Sequence, residues 1–123
     1  MNKGLEAKLV KDFPKAFNEY GKPPSESCMA FGCACDDGWE PLIRKVCENL
    51  SPNAKLAQVK EKFGRLRIYI SSGTEEDADL CWEVEKESAK ICEICGKPGK
   101  QISGSWIKTL CPKCKKQRNS GIV

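Results

Sequence analysis

Two cysteine pairs near the C-terminus constrain this chain more than any other feature. They are Cys92-Glu93-Ile94-Cys95 and Cys111-Pro112-Lys113-Cys114, a C-x2-C-x15-C-x2-C pattern. Two cysteines three positions apart in a tight turn aim both sulfurs at one point, and Gly96 permits the backbone turn that follows the first pair. A second pair completes a tetrahedron, and the spacing lies within the range of a structural zinc site. The 15 intervening residues fit a hairpin, Lys100 to Ser103 and Trp106 to Leu110 around a Gly104-Ser105 turn. Cys111 and Cys114 then fall in the first turn of a short helix through Arg118. Knuckle, hairpin and helix in that order predict a treble-clef or zinc-ribbon module. Paired thiolates also suit iron, as in rubredoxin-like sites, but Lys115 stands where a second such knuckle wants glycine. A redox-active CxxC leaves the other pair unexplained. Zn2+ on Cys92, Cys95, Cys111 and Cys114 is therefore the expected cofactor. Four thiolates close the coordination shell, so the ion is a staple that lets about thirty residues fold without much core.

The chain has 123 residues and no histidine. That excludes Ser-His-Asp and Cys-His catalytic pairs, His-ligated metals and an imidazole general base. There is no phosphate loop of the GxxxxGK[ST] type. Asp36, Asp37 and Glu40 are of a type that binds divalent cations, but a solvated helix start explains them better, so no enzyme is expected. No window approaches the roughly 18 apolar residues of a membrane span. The segment Met1 to Val10 lacks the apolar core of a secretory signal, so a reducing, cytoplasmic setting is expected. Nine cysteines there point to metal or thiol chemistry and away from disulfides. Among the other five, Cys28-x4-Cys33-x-Cys35 is dense enough for a second metal site with Cys47 or Cys81 as fourth ligand. The competing reading makes them small buried hydrophobes, and Cys47 and Cys81 lie on apolar helix faces.

Before Ile91 the texture is that of an α+β body, residues 1–90, followed by the zinc-binding module, 91–123. Leu5, Leu9, Val10, Phe13 and Phe17 keep a helical rhythm that Pro14 ends or kinks. Asp37, with Glu40 three residues on, predicts a capping box for a helix from Trp39 to Leu50, whose apolar face is Leu42, Ile43, Val46, Cys47 and Leu50. Leu56 to Lys62 and Arg65 to Ile70 read as two strands of a β-hairpin around Phe63-Gly64. Thr74 with Asp77 marks the start of a helix to about Lys90, expected to bury Ala78, Cys81, Trp82 and Ala89.

The formal net charge of +4 conceals a separation. Lys97, Lys100, Lys108, Lys113, Lys115, Lys116 and Arg118 occur with no acid among them, leaving −3 on everything before. Within that remainder, Glu75 to Glu87 carries seven acids and one lysine.

Several stretches carry a likeness. Cys28-Met29-Ala30-Phe31-Gly32, Asp37-Gly38-Trp39, Leu42-Ile43, Val59 to Arg67 with its Lys-Glu-Lys-Phe-Gly, and Ser88 to Gly96 together resemble a family of small Cys-rich zinc-binding proteins of bacteriophages and prophages. The resemblance covers most of the chain, with Ala30 where the family has an aromatic residue. It implies a phage or mobile-element origin and expression in a bacterial cytoplasm. It brings no catalytic residues and no assigned activity.

Two functions are consistent with these features. The first is nucleic-acid binding through the basic module. Its candidate contacts are Lys108, Lys113, Lys115, Lys116 and Arg118, joined by Arg65 and Arg67 from the hairpin cluster with Lys55, Lys60 and Lys62. Trp106 and Tyr69 are able to stack on bases. The second is a protein-binding phage factor that inhibits a host enzyme or an anti-phage immune complex, with the acidic segment mimicking nucleic acid or the basic tail gripping an acidic partner.

Overall fold

The computed structural model describes residues 1–104 and 106–119. Helix α1 (Lys3–Asp12) starts at Asn2, whose side chain accepts the Gly4 and Leu5 N–H groups. It stops ahead of Pro14, which would collide with the preceding turn. The chain then folds back through turns, so Phe17 is still buried, edge-on to Tyr20 at 6.5 Å. A short 3₁₀ turn over Cys28–Phe31 leads into β1 (Cys33–Ala34), and a second over Asp37–Trp39 leads into α2 (Glu40–Asn49). Pro41 sits in the first turn of α2, where its missing N–H costs nothing. The expected capping box is absent. The carboxylate of Asp37 instead accepts the N–H of Asn2 at 2.6 Å, because the chain start packs beside it. The apolar face of α2 is the expected one: Leu42, Ile43, Val46 and Cys47 are buried.

Strands β2 (Lys55–Lys62) and β3 (Arg65–Ser72) pair antiparallel, and β1 joins β2 in parallel, giving the order β1-β2-β3. The connecting Phe63 and Gly64 both have positive φ, 53° and 78°. That is the turn whose twist matches a two-residue hairpin. Helix α3 (Glu75–Ser88) follows a Thr74–Asp77 capping box. Its buried face differs from the expected one. Cys81 is inside, but Ala78 and Trp82 are exposed, and Asp77, Val84, Glu85 and Ser88 are buried instead. Polar partners explain the rotation. Glu85 receives Arg65 and Arg67 at 3.5 and 3.4 Å. Ser88 accepts the Leu66 N–H at 2.9 Å, and Asp77 accepts both the N–H and the hydroxyl of Ser51. The Ser51 hydroxyl and the Thr74 backbone hold the Asp77 carboxyl down to about 2. Trp82 lies outside beneath the Lys86 ammonium, 5.7 Å from its ring.

The rest of the chain forms the β4 (Lys100–Ile102) and β5 (Lys108–Leu110) hairpin and helix α4 (Pro112–Asn119). The fold is thus α+β. Its buried apolar residues divide into a large cluster from Leu9 to Val84, including Trp39, Leu56 and Leu66, and a small one of Cys92, Leu110, Cys111 and Cys114. The two regions dock closely. The N–H of Gly38 donates to Glu93 O at 2.7 Å, and a Cβ on Gly38 would strike the Cys92 and Glu93 backbone. The Trp39 indole N–H donates to Ile91 O at 2.9 Å. No helix among the described residues is long and apolar enough to cross a membrane.

Candidate metal centre

Each cysteine pair is shaped by its own backbone. In the first knuckle Cys92 N–H donates to Lys97 O at 2.7 Å, Gly96 N–H donates to Cys92 O at 2.9 Å, and Gly96 takes a φ of 81° that a side chain would strain. Cys111 directly precedes α4 and Cys114 lies in its first turn, where the Cys114 N–H points at the Cys111 sulfur, 3.4 Å away. The β4–β5 hairpin brings the pairs together. All four sulfurs lie within 4.8 Å of one another, with Cys95 and Cys111 Sγ at 3.5 Å. A tetrahedral zinc with sulfurs at about 2.3 Å separates them by about 3.8 Å, so the cage has the size of the ion. Cys92, Cys111 and Cys114 are buried, and Cys95 is open to solvent.

The electrostatics of the cage point the same way. The Cys114 N–H at its sulfur lowers the Cys111 thiol to about 6, whereas burial raises those of Cys95 and Cys114. Negative sulfurs at this distance need a cation among them. A dication supplies it, and metal binding then releases the remaining protons. The four cysteines are placed to hold a metal ion and fit Zn2+, in a zinc-ribbon-like module with the expected knuckle, hairpin and helix. Of the turn at the hairpin tip, Ser105 lies outside the described residues.

A second metal site at Cys28, Cys33 and Cys35 is not evident among the described residues. Cys33 and Cys35 are buried and Cys28 is exposed, and no group of three ligand atoms gathers around them among the described residues. Burial pushes the Cys33 and Cys47 thiols up to about 12 and that of Cys81 to about 11, and raises Cys35 as well. These side chains behave as small apolar core residues.

The basic candidates separate into two sets. Lys113, Lys115 and Lys116 are exposed along α4; Arg118 is in the same helix, and its side chain lies outside the described residues. The others are committed within the fold. Arg65 and Arg67 face the Glu85 carboxylate, and Lys108 bridges Glu61 and Glu93 at 3.3 and 3.2 Å with a side chain only 17% exposed. Sequence reasoning did not single out Glu93. It sits between the two cysteines of the first knuckle and is 2% exposed. Its carboxylate accepts the Asp36 N–H at 3.1 Å as well as Lys108, tying the metal knuckle to the body. The one available signal was an acid inside a knuckle, the last acid in the sequence. Three aromatic side chains of the hairpins are exposed: Tyr69, Phe63 and Trp106. No protein-family model, no curated protein and no solved structure matches the chain.

Proposed function

We propose that the protein is a non-catalytic zinc-binding protein whose C-terminal module binds nucleic acid. The observation that carries this reading is α4, on which Lys113, Lys115 and Lys116 are exposed in a segment where no acid follows Glu93. Four thiolates around Zn2+ leave the site with a local charge of about −2. Seven basic residues from Lys97 onward outweigh it. Arg65, Arg67 and Lys108 already face carboxylates, so the phosphate contacts are assigned to the α4 lysines, with Arg118 beside them in sequence. The closed shell leaves the metal no position for a reacting water, and its part is to hold α4 against the hairpin.

The test is affinity for a labelled oligonucleotide as salt is raised. Log affinity falls linearly with log salt, by about 0.7 to 0.9 for each phosphate neutralised. Replacing Lys113, Lys115 and Lys116 together by Ala reduces that slope by roughly 2 to 3. Binding that ignores salt, or a slope unchanged in the triple variant, overturns the reading.

A second reading is supported by α3. Its acids accompany an exposed Trp82, 52% accessible, an aromatic anchor within negative charge that suits a protein partner. In this reading the chain is a bacteriophage or prophage factor that acts in the bacterial cytoplasm, inhibiting a host enzyme or an anti-phage immune complex. A stoichiometric protein retained from nuclease-treated lysate, and lost in Trp82→Ala, favours it over the first.

A further inference from the structure

The tip of the β2–β3 hairpin meets the strands of the β4–β5 hairpin. Gln101 Nε2 donates to Phe63 O at 2.6 Å, the Thr109 hydroxyl donates to Gly64 O, and a Cβ at Gly64 would come within 3.2 Å of Ile107. At this junction an open cleft of about 270 Å³ is lined by Glu61, Phe63, Gly104, Trp106 and Ile107. Phe63 and Trp106 line it together and remain 61% and 63% exposed.

Folding alone does not explain Phe63. It holds φ at 53°, the left-handed region, in a turn position that asparagine, aspartate or glycine fills with least strain. A bulky ring there costs backbone energy, and its exposure returns little burial. Such an outlier points to a role outside stability. Each ring also has an ammonium nearby: Lys62 Nζ lies 5.7 Å from the Phe63 centroid and Lys108 Nζ 5.2 Å from that of Trp106. Both oxygens of the acid in the cleft, Glu61, are engaged, one by Gly64 N–H at 2.8 Å and one by the Lys108 ammonium that it shares with Glu93, at 3.3 Å.

We infer that this cleft is a base-stacking site for single-stranded nucleic acid, with Phe63 and Trp106 each offering a face to an unpaired base. The inference rests on the nucleic-acid reading above and names its substrate class. Aromatic faces accept any base, and a duplex hides those faces within its own stack. The cleft is smaller than the usual pocket for a drug-sized molecule, so bases enter singly. A base settling on Phe63 takes the place of the Lys62 ammonium over the ring. That ammonium, on its flexible stem, swings to the adjoining phosphate. Trp106 lies in the loop between the two cysteine pairs, so the metal holds one wall of the cleft in position.

The experiment uses the metal-loaded full chain and labelled strands of about twelve nucleotides. The probes are oligodeoxyuridine, oligouridine, an abasic strand of equal length and a duplex. The base-bearing strands bind on the order of ten- to a hundredfold more tightly than the abasic strand. The two base-bearing probes report whether deoxyribose or ribose is preferred. Phe63→Asn and Trp106→Ala each lose about tenfold for those strands, with the salt slope unchanged and little loss for the abasic strand. Phe63→Asn keeps or raises Tm, because asparagine suits the turn, which separates a binding role from a structural one. Equal binding of abasic or duplex probes, or unchanged affinity in both ring variants, overturns the stacking site and leaves the phosphate contacts standing. Absence of salt-dependent binding to every probe overturns both.

Discussion

The body and the C-terminal module solve the same problem by different physics. In the body, Leu9, Ile43, Val46, Leu56 and Leu66 are fully sealed from water among many similar neighbours. Each such side chain contributes about 1.5 to 3 kcal/mol by leaving water, so this region closes through its apolar area. In the module the sealed apolar side chains are Leu110 and three of the four cysteines, beside the sealed polar Glu93 and Thr109. One leucine cannot offset the ordering of a knuckle, a hairpin and a helix, whereas sulfur–metal bonds at a four-cysteine site are of the size to supply the difference. The two regions nevertheless share a joint of backbone contact and buried charge, through Gly38, Trp39 and Glu93.

The sharpest way to break the comparison is to withdraw the metal. A zinc site of this kind contributes about 10 kcal/mol to folding of a small module. Chelation therefore strips hydrogen-exchange protection from Ile91 through α4 while the β2–β3 and α2 amides keep theirs. Equal loss in both regions would show a single cooperative unit. The converse perturbation is Ile43→Ala, which leaves a cavity in the body and costs about 2 to 5 kcal/mol in denaturant unfolding. Metal stoichiometry is unchanged if the module closes by its own means. Gly38→Ala sharpens the joint. The added methyl meets the Cys92 and Glu93 backbone, and overpacking of this sort costs about 1 to 3 kcal/mol. It should loosen metal retention against a competing chelator as well as lower Tm; an effect on Tm alone would mean that the joint does not transmit. The smallest effect is confined to the body. The depressed Asp77 carboxyl, near 2, stabilises the fold above its ordinary value of 3.8 and loses that contribution as pH falls toward 2. Asp77→Asn removes on the order of 1 kcal/mol at neutral pH, and the difference from wild type closes across that acid range.

How far the sequence disclosed this structure depended on the distance over which each feature is specified. The cysteine knuckles, the Phe63-Gly64 hairpin, the Thr74–Asp77 cap and the apolar face of α2 are local patterns, and each appears where the residues put it. The buried face of α3 was misjudged because Glu85 and Ser88 are buried by partners on β3, eighteen or more positions away. Apolar periodicity has no means of registering a carboxylate made acceptable by Arg65 and Arg67. Asp37 likewise serves Asn2, from the far end of the chain. The basic candidates divide into ion-paired and exposed sets for the same reason. Lys108 resembles α4's lysines in sequence, but folding places it against Glu61 and Glu93. The second cysteine cluster was suggested by density along the chain, which says nothing about where sulfurs converge.

Trp39 gives the joint an optical reporter. Its indole is wholly enclosed and is bonded to Ile91 O, whereas Trp82 and Trp106 sit at the surface. With Trp82→Phe and Trp106→Phe, the remaining indole emits from the seam where the chain leaves the body for the first knuckle. Separation of the two regions would move its emission to longer wavelength, so a fluorimeter could follow undocking in real time without any attached dye.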